Sequence, residues 1–186
     1  MTDENTGQKP QKSLKPLIAL NALLFFGVIF IIAMTMGAFP DKTPPEKMPE
    51  FGMESIEGEA FGNANLQGDV MIINLFASWC TPCLAEHPVL MDIAANVPDL
   101  PIYGIAVHDK REDLQFYLTK HGNPFDGVGM DYAGLMSKGL EQDGVPLTLI
   151  IDKEMKIHWL WLGPITPSTW EERMIPVLTQ LGVDIS

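Results

Sequence analysis

The sequence predicts an α/β fold in which a mixed central sheet is flanked by helices, preceded by one transmembrane helix. Nearly continuous apolar runs of strand length alternate with segments whose apolar residues recur at a helical period, a pattern typical of α/β proteins. A long apolar run without any charged side chain lies ahead of them. The chain therefore divides into an N-terminal segment (1–16), a membrane anchor (17–39), a Pro-rich linker (40–50) and an α/β domain (51–186).

Residues 17–39 are predicted to form the membrane anchor. A helix of about 20 apolar residues, rising ~1.5 Å per residue, already spans a hydrocarbon layer of ~30 Å. Three lysines precede the run and an aspartate follows it, which favours a cytoplasmic N-terminus (1–16) and a domain on the opposite side of the membrane. A cleaved signal peptide is the alternative, but its apolar region is usually only about 7–15 residues long.

The composition of the whole chain excludes several classes of function. The net charge of −12 argues against nucleic-acid binding, which needs clustered Lys and Arg. Two cysteines are too few for a disulfide-stapled miniprotein or for a zinc site built from paired Cys motifs. Residues 40–50 contain four prolines among charged residues and predict an extended, semi-rigid spacer.

The predicted order of elements in the domain is strand, helix, strand, helix, then a strand hairpin and a last helix. Residues 51–69 predict a small hairpin or edge segment. The later elements are a buried strand (70–76), a helix ending before Pro98, a strand (102–107), a helix (111–121), two hairpin strands (147–151 and 156–162) and a helix (169–181). The residues predicted to point inward are Leu84, Val89, Leu90, Ile93 and Ala94 in the first helix and Leu114, Phe116, Tyr117 and Leu118 in the second.

One motif carries chemistry: Trp79-Cys80-Thr81-Pro82-Cys83, at the junction of the first buried strand and the first helix. A disulfide across so short a ring stabilises a fold little, so its natural use is reversible redox chemistry. At a helix start Cys80 faces unpaired backbone N–H groups, which favour the attacking thiolate. Cys83, one turn later, can resolve a mixed disulfide, and Pro82 suits the first helical turn. The alternative is half of a zinc site, which His87 could approach.

Three features of the sequence together resemble the thioredoxin fold: the string 79–83, Pro88, and the pair Val145-Pro146 before a strand. That resemblance implies a cis Pro146 against the cysteine pair, with Val145 offering its backbone to a substrate chain. Four strings more narrowly resemble the membrane-tethered thioredoxin-like reductases of cytochrome c maturation, the DsbE/CcmG type: residues 74–80, 83–88 (CLAEHP), 122–125 (GNPF) and 144–146 (GVP).

The resemblance implies a periplasmic thiol:disulfide reductase, single-pass in a bacterial inner membrane. Cys80 would attack the disulfide of the Cys-x-x-Cys-His haem site of apocytochrome c, and Cys83 would release the reduced product. A membrane electron donor of the DsbD/CcdA type would restore the dithiol. No cofactor beyond the Cys80–Cys83 pair is implied; the partners are apocytochrome c and other maturation proteins, and the protein is expected to be a monomer. The implied substrate-binding residues are Trp79, Thr81, Pro82, Val145 and Pro146.

Glu86 is predicted to handle the proton of Cys83. Thioredoxins carry a buried Asp six positions before the first cysteine, but this chain has Asn74, which cannot titrate. Glu86, one turn beyond Cys83, is the nearest carboxylate along the chain, and the alternative is a solvated residue on the helix face. Relatives often carry Glu after the cis proline, and Leu147 here predicts a less acidic rim.

Other functions remain open at this level. A non-redox module could hold apocytochrome c beside Pro146, and a periplasmic reductase could serve other substrates. An oxidase would need a strongly destabilised disulfide. A metal chaperone would bind metal through the cysteines. The sequence does not fix the reduction potential of the Cys80–Cys83 pair, so the direction of electron flow rests on the resemblance.

Overall fold

The fold is described from a computed structural model, which covers residues 45–185. The predicted cytoplasmic segment (1–16), the predicted anchor (17–39) and the first part of the predicted linker lie outside the described residues. Within 45–185, no helix combines the length and the apolar character needed to cross a membrane.

Seven strands form one mixed sheet. They are β1 (Gly52–Ser55), β2 (Ala60–Gly62), β3 (Val70–Phe76), β4 (Ile102–Val107), β5 (Gly127–Asp131), β6 (Leu147–Asp152) and β7 (Ile157–Leu162). Their order across the sheet is β2-β1-β5-β4-β3-β6-β7. β3, β4 and β5 run parallel, and the other pairings are antiparallel. The predicted mixed sheet and the predicted N-terminal hairpin are both confirmed.

Five α-helical segments accompany the sheet. They are α1 (Thr81–Asn96), α2 (Arg111–His121), α3 (Leu135–Gly139), α4 (Pro167–Thr169) and α5 (Ile175–Gln180). A π-helical stretch, Trp170–Met174, joins α4 to α5, so the chain is helical throughout 167–180, as predicted for the last helix.

The hydrophobic core forms two clusters, one on each face of the sheet. Successive side chains of β3 point alternately into one cluster and the other. Ile72 and Phe76 face one cluster, which also holds the buried residues of α1, α2 and α5. Ile73 and Leu75 face the other cluster, which α3 covers through Met136. Helices therefore flank both faces as predicted, although the longest helices all lie on one of them. Burying both faces explains why β3 is apolar at nearly every position.

Two predicted inward residues are wrong. Leu84 is 42 % exposed and Phe116 is 69 % exposed. The inward stripe of α1 begins at Cys83, and the next residue of a helix lies about 100° around the axis, so Leu84 points outward. In α2 the buried residues are Leu114, Tyr117 and Leu118, and Phe116 lies on the opposite side of the helix.

The sequence did not predict β5 and α3. Two of the five residues of β5 are glycines, which are depleted in strands, so its composition resembles a loop. The structure shows why glycine is present: a Cβ at Gly129 would lie 2.6 Å from Met53 Sδ and from Phe61 Cδ1 on the hairpin. Close packing of the β1–β2 hairpin therefore requires a residue with no side chain at this position.

The part of the predicted linker that the structure describes is extended and lies along the start of β7. Met48 N donates to Met155 O at 2.8 Å, and Ile157 N donates to Glu46 O at 2.9 Å. The Met48 side chain is buried in the cluster that α3 covers. Residues 46–48 thus add a short stretch of pairing to this edge of the sheet.

Candidate active site

The two cysteines lie where the sequence places them, between the end of β3 and the first turn of α1. Cys80 is the N-cap residue of α1, and its Sγ accepts from Cys83 N at 3.1 Å. The two form a disulfide with an S–S distance of 2.08 Å. Cys80 is 5 % exposed and Cys83 is 2 % exposed. The backbone N–H groups at this helix start favour negative charge on Cys80 once the disulfide is reduced.

The Val145–Pro146 segment, which directly precedes β6, lies beside Cys80. The peptide bond between these residues is cis, as the resemblance implies. Val145 O lies 3.7 Å from Cys80 Sγ. Val145 is half-buried and Pro146 is buried.

An exposed rim surrounds Cys80. Trp79 is 61 % exposed, and Thr81 and Pro82 are also exposed. The indole Nε1 of Trp79 donates to His108 O at 3.1 Å. Trp79 is therefore a surface residue beside the disulfide and does not pack in the core.

The loop before Cys80 is fixed by Asp109, which follows β4. The Asp109 carboxylate accepts from Ser78 N at 2.5 Å and from Ser78 Oγ at 2.8 Å. Asp109 is only 5 % exposed. Hydrogen bonds to a charged acceptor are among the stronger ones in proteins, so Asp109 holds the approach to Trp79 and Cys80 in one position.

Glu86 is a buried residue of α1, and each of its two carboxyl oxygens accepts a hydrogen bond. It is 1 % exposed, which excludes the alternative of a solvated residue on the helix face. Its Oε1 accepts from Asn74 Nδ2 at 2.9 Å, and its Oε2 accepts from Ile165 N at 2.8 Å. Asn74 Nδ2 also donates to Thr148 Oγ1 at 3.0 Å, across the β3–β6 pairing.

Burial changes the acid strength of Glu86. Desolvation raises the pKa of Glu86 from 4.5 to about 7, and the hydrogen bonds from Ile165 N and Asn74 partly oppose this increase. A group with a pKa near 7 can both accept and release a proton at neutral pH. Glu86, a buried residue three positions after Cys83 on α1, therefore has the acid strength that the predicted role requires.

His87 is directed away from the cysteines. Its Nε2 lies 3.1 Å from Gly122 O, and its ring packs edge-on against Tyr117 at 5.0 Å. Burial lowers the pKa of His87, so the ring is neutral at pH 7. Among residues 45–185, no group of three or more His, Cys, Asp or Glu side chains is arranged to hold a metal ion.

Comparisons with known proteins agree with this geometry. A model of the AhpC/TSA family matches residues 44–160. The thiol:disulfide interchange protein DsbE of Yersinia pestis is 30 % identical over 181 residues, which cover 91 % of this chain and 95 % of that protein. The chain belongs to the DsbE family of thiol:disulfide interchange proteins.

A second relative supports this assignment, and a solved structure supports the fold. A probable DsbE-2 of Pasteurella multocida is 36 % identical over 120 residues, which cover 64 % of this chain and 62 % of that protein. A thioredoxin-family thiol:disulfide interchange protein from Chlorobium tepidum has a crystal structure that superposes with a TM-score of 0.59, at 22 % identity, covering 75 % of this chain and 97 % of that one. The predicted thioredoxin-like fold and thiol:disulfide oxidoreductase activity are confirmed.

The structure corrects the position of Leu147 in this DsbE-family protein. Leu147, which follows the cis proline, was expected to make the substrate rim less acidic. It is fully buried in the cluster that α3 covers, because it is the first residue of β6 and its side chain points to that face. Leu147 is thus a core residue and has no place on the rim.

Several residues that support the site carry no signal in the sequence. Thr148 reaches Asn74, and the backbone of Ile165 reaches Glu86, only through the fold, because these pairs lie 74 and 79 positions apart along the chain. Asp109 carries a partial signal, since an acidic residue two positions after the end of buried β4 lies at the same sheet edge as Cys80. Its hydrogen bonds to Ser78 give it a role that motif spacing alone does not indicate.

Proposed function

We propose that the protein is a periplasmic, membrane-anchored reductase that opens the disulfide of the Cys-x-x-Cys-His haem site in apocytochrome c. The observation that carries the proposal is the placement of Cys80, which caps α1 between the exposed Trp79 and the backbone of Val145. An extended substrate chain can lie along Val145 while its disulfide meets Cys80.

The reaction exchanges one disulfide for another. In the reduced protein the Cys80 thiolate attacks a substrate sulfur, forming a Cys80–substrate bond and releasing the second substrate sulfur as a thiolate, which takes a proton from solvent. Glu86 then accepts the proton of the Cys83 thiol. The Cys83 thiolate attacks Cys80 Sγ, forms the Cys80–Cys83 disulfide and releases the first substrate sulfur, which is protonated in turn. Two electrons pass to the substrate.

The predicted anchor supplies the location. An uncharged run over 17–39 with lysines before it supports an N-terminus in the cytoplasm and the domain in the periplasm of a bacterial inner membrane. A donor of the DsbD/CcdA type at that membrane would return the oxidised pair to the dithiol. Neither the reduction of the substrate nor the re-reduction of the cysteine pair needs a bound cofactor. Cys80, Cys83 and Glu86 all lie in one copy of the domain.

The substrate class can be tested by trapping the mixed disulfide. Cys83→Ser leaves Cys80 able to attack and removes the group that releases the product, so the Cys80–substrate bond should accumulate. We expect a Cys-x-x-Cys-His peptide disulfide to be trapped at least about tenfold faster than a peptide with the same residues in scrambled order, as about 1.4 kcal/mol of preferential binding would give. Mass spectrometry identifies the adduct.

Equal trapping rates for the two peptides would contradict the haem-site preference. That result would instead favour a thioredoxin-like reductase with other substrates. The double variant Cys80→Ser/Cys83→Ser is the control and should form no adduct with either peptide.

A further inference from the structure

The surroundings of Glu86 contain two unsatisfied polar atoms. Over residues 45–185, the buried side-chain atoms without a hydrogen-bond partner are Asn74 Oδ1 and the hydroxyl of Tyr117. Asn74 contacts Glu86 directly through its Nδ2. Tyr117 belongs to the same core cluster as Cys83, and its ring packs against that of His87, the residue that follows Glu86. Buried polar groups in proteins are nearly always paired, so these two orphaned atoms, one on a direct partner of Glu86 and one on a neighbour of His87, need an explanation.

Aromatic contacts hold the ring of Tyr117 independently of its hydroxyl. The ring lies 5.0 Å from that of His87, 5.1 Å from that of His121 and 6.1 Å from that of Phe76. Tyr117 as a whole is 5 % exposed. A phenylalanine would keep these contacts, so packing accounts for the ring and leaves the buried hydroxyl unexplained.

We propose that one buried water molecule lies between the Tyr117 hydroxyl, Asn74 Oδ1 and the Glu86 carboxyl group, and that Tyr117 acts through it as a positioning residue for Glu86. The two orphaned atoms are one donor and one acceptor, which a single water satisfies by accepting from the phenol and donating to the amide oxygen. Its second hydrogen points to the carboxylate. Buried waters typically make about three hydrogen bonds, and this site supplies three.

The water would stabilise the charged form of Glu86. A hydrogen bond donated to a carboxylate favours ionisation, so this bond would act with those from Ile165 N and Asn74 Nδ2 against the effect of burial. Burial and the charge of Glu86 raise the pKa of Tyr117 to about 12, so the phenol stays protonated and remains a donor. The inference rests on the proposed role of Glu86 as the base for Cys83.

In the described part of the chain, few other groups near Glu86 can titrate. β3 and β6 contribute Asn74 and Thr148, which do not ionise, and the segment after β7 contributes the backbone N–H of Ile165. The titratable side chains of α1 and α2 around the Glu86–Tyr117 pair are Cys83, His87, Tyr117 and His121. In the oxidised protein Cys83 is bonded to Cys80 and does not titrate.

The test is a titration of Glu86 in the oxidised full-length protein in detergent. Carboxyl-¹³C-labelled glutamate is followed by NMR, and the resonance that Glu86→Gln removes identifies Glu86. Tyr117→Phe should raise the midpoint of this resonance by about one pH unit, the size expected for one hydrogen bond to a charged group. Tyr103→Phe is the matched control: its hydroxyl accepts from Gln67 N at 2.9 Å in the opposite core cluster. It should leave the midpoint unchanged.

A Tyr117→Phe midpoint equal to that of the parent, or a control that shifts as far, would overturn the proposal. The pH profile of single-turnover disulfide reduction gives a second readout, in which the acidic limb should move to higher pH by the same amount. If Glu86→Gln leaves the reduction rate unchanged, the role of Glu86 as a base fails, whereas the NMR titration still decides whether Tyr117 positions Glu86.

Discussion

Replacing Cys80 with serine should lower the rate of disulfide reduction by more than about a thousandfold, as expected when a covalent nucleophile is removed. A serine hydroxyl cannot form a disulfide and is not ionised at neutral pH. The change is small in volume, and Cys80 sits at an N-cap position, which serine also fills well. The fold should therefore persist. The measurement is single-turnover reduction of a model peptide disulfide by the chemically reduced protein.

The matched variant is Cys83→Ser, which should still attack but stop at the mixed disulfide. In the reduced parent protein we expect Cys80 to react with iodoacetamide before Cys83, since it is the more exposed of the two and lies at the helix start. A Cys80 that is inert to alkylation would contradict the mechanism. Full biological function in Cys80→Ser would support the non-redox binding module instead.

Glu86→Gln should slow the release of product by about a hundredfold at pH 8, the usual contribution of a general base. At that pH Glu86 is charged, because burial raises its pKa only to about 7. Below about pH 6 the parent carboxyl group is already protonated, so the two proteins should converge. The rate of substrate release from a preformed Cys80 mixed disulfide, followed from pH 5 to 9, measures this difference.

The same substitution should stabilise the oxidised protein at high pH. Folding raises the pKa of Glu86 from 4.5 to about 7, so the folded protein loses stability as the pH rises through this range. The full loss is about 3 kcal/mol. Glutamine carries no charge, so its burial brings no loss of stability as the pH rises. Guanidinium unfolding should thus show Glu86→Gln to be more stable by about 1–3 kcal/mol at pH 8.

At pH 4.5 the stability advantage of Glu86→Gln should disappear. The control is Asp92→Asn, which removes a carboxylate from an exposed position of the same helix. It should leave both the rate and the pH dependence of stability close to those of the parent. A Glu86→Gln protein with unchanged kinetics from pH 5 to 9 would remove Glu86 from the mechanism.

The cysteine site was predictable because it is local. Cys80, Thr81, Pro82 and Cys83 are contiguous, and capping chemistry places such a string at a helix start whatever the rest of the fold does. The apolar runs of β3 and β4 identified the central strands because both of their faces are buried. The cis Pro146, the partners and the direction of electron flow depended on the resemblance.

The surroundings of Glu86 were not predictable, since they depend on long-range pairing. Asn74 reaches Thr148 because β3 and β6 are neighbours in register, and the sequence holds no signal for that register. Composition misled the prediction elsewhere. The glycines of β5 are required by packing against Phe61, and Phe116 is apolar yet exposed because it falls outside the helical stripe of α2.

The reduction potential of the Cys80–Cys83 pair tests the central claim most directly. The oxidised and reduced full-length protein can be equilibrated with glutathione buffers, and the fraction oxidised measured by alkylation and mass spectrometry. A reductase should have a potential in the range of about −200 to −270 mV, which glutaredoxins and thioredoxin span. A value near −120 mV, as in the strong oxidant DsbA, would make this protein an oxidase and contradict the proposed direction of electron flow.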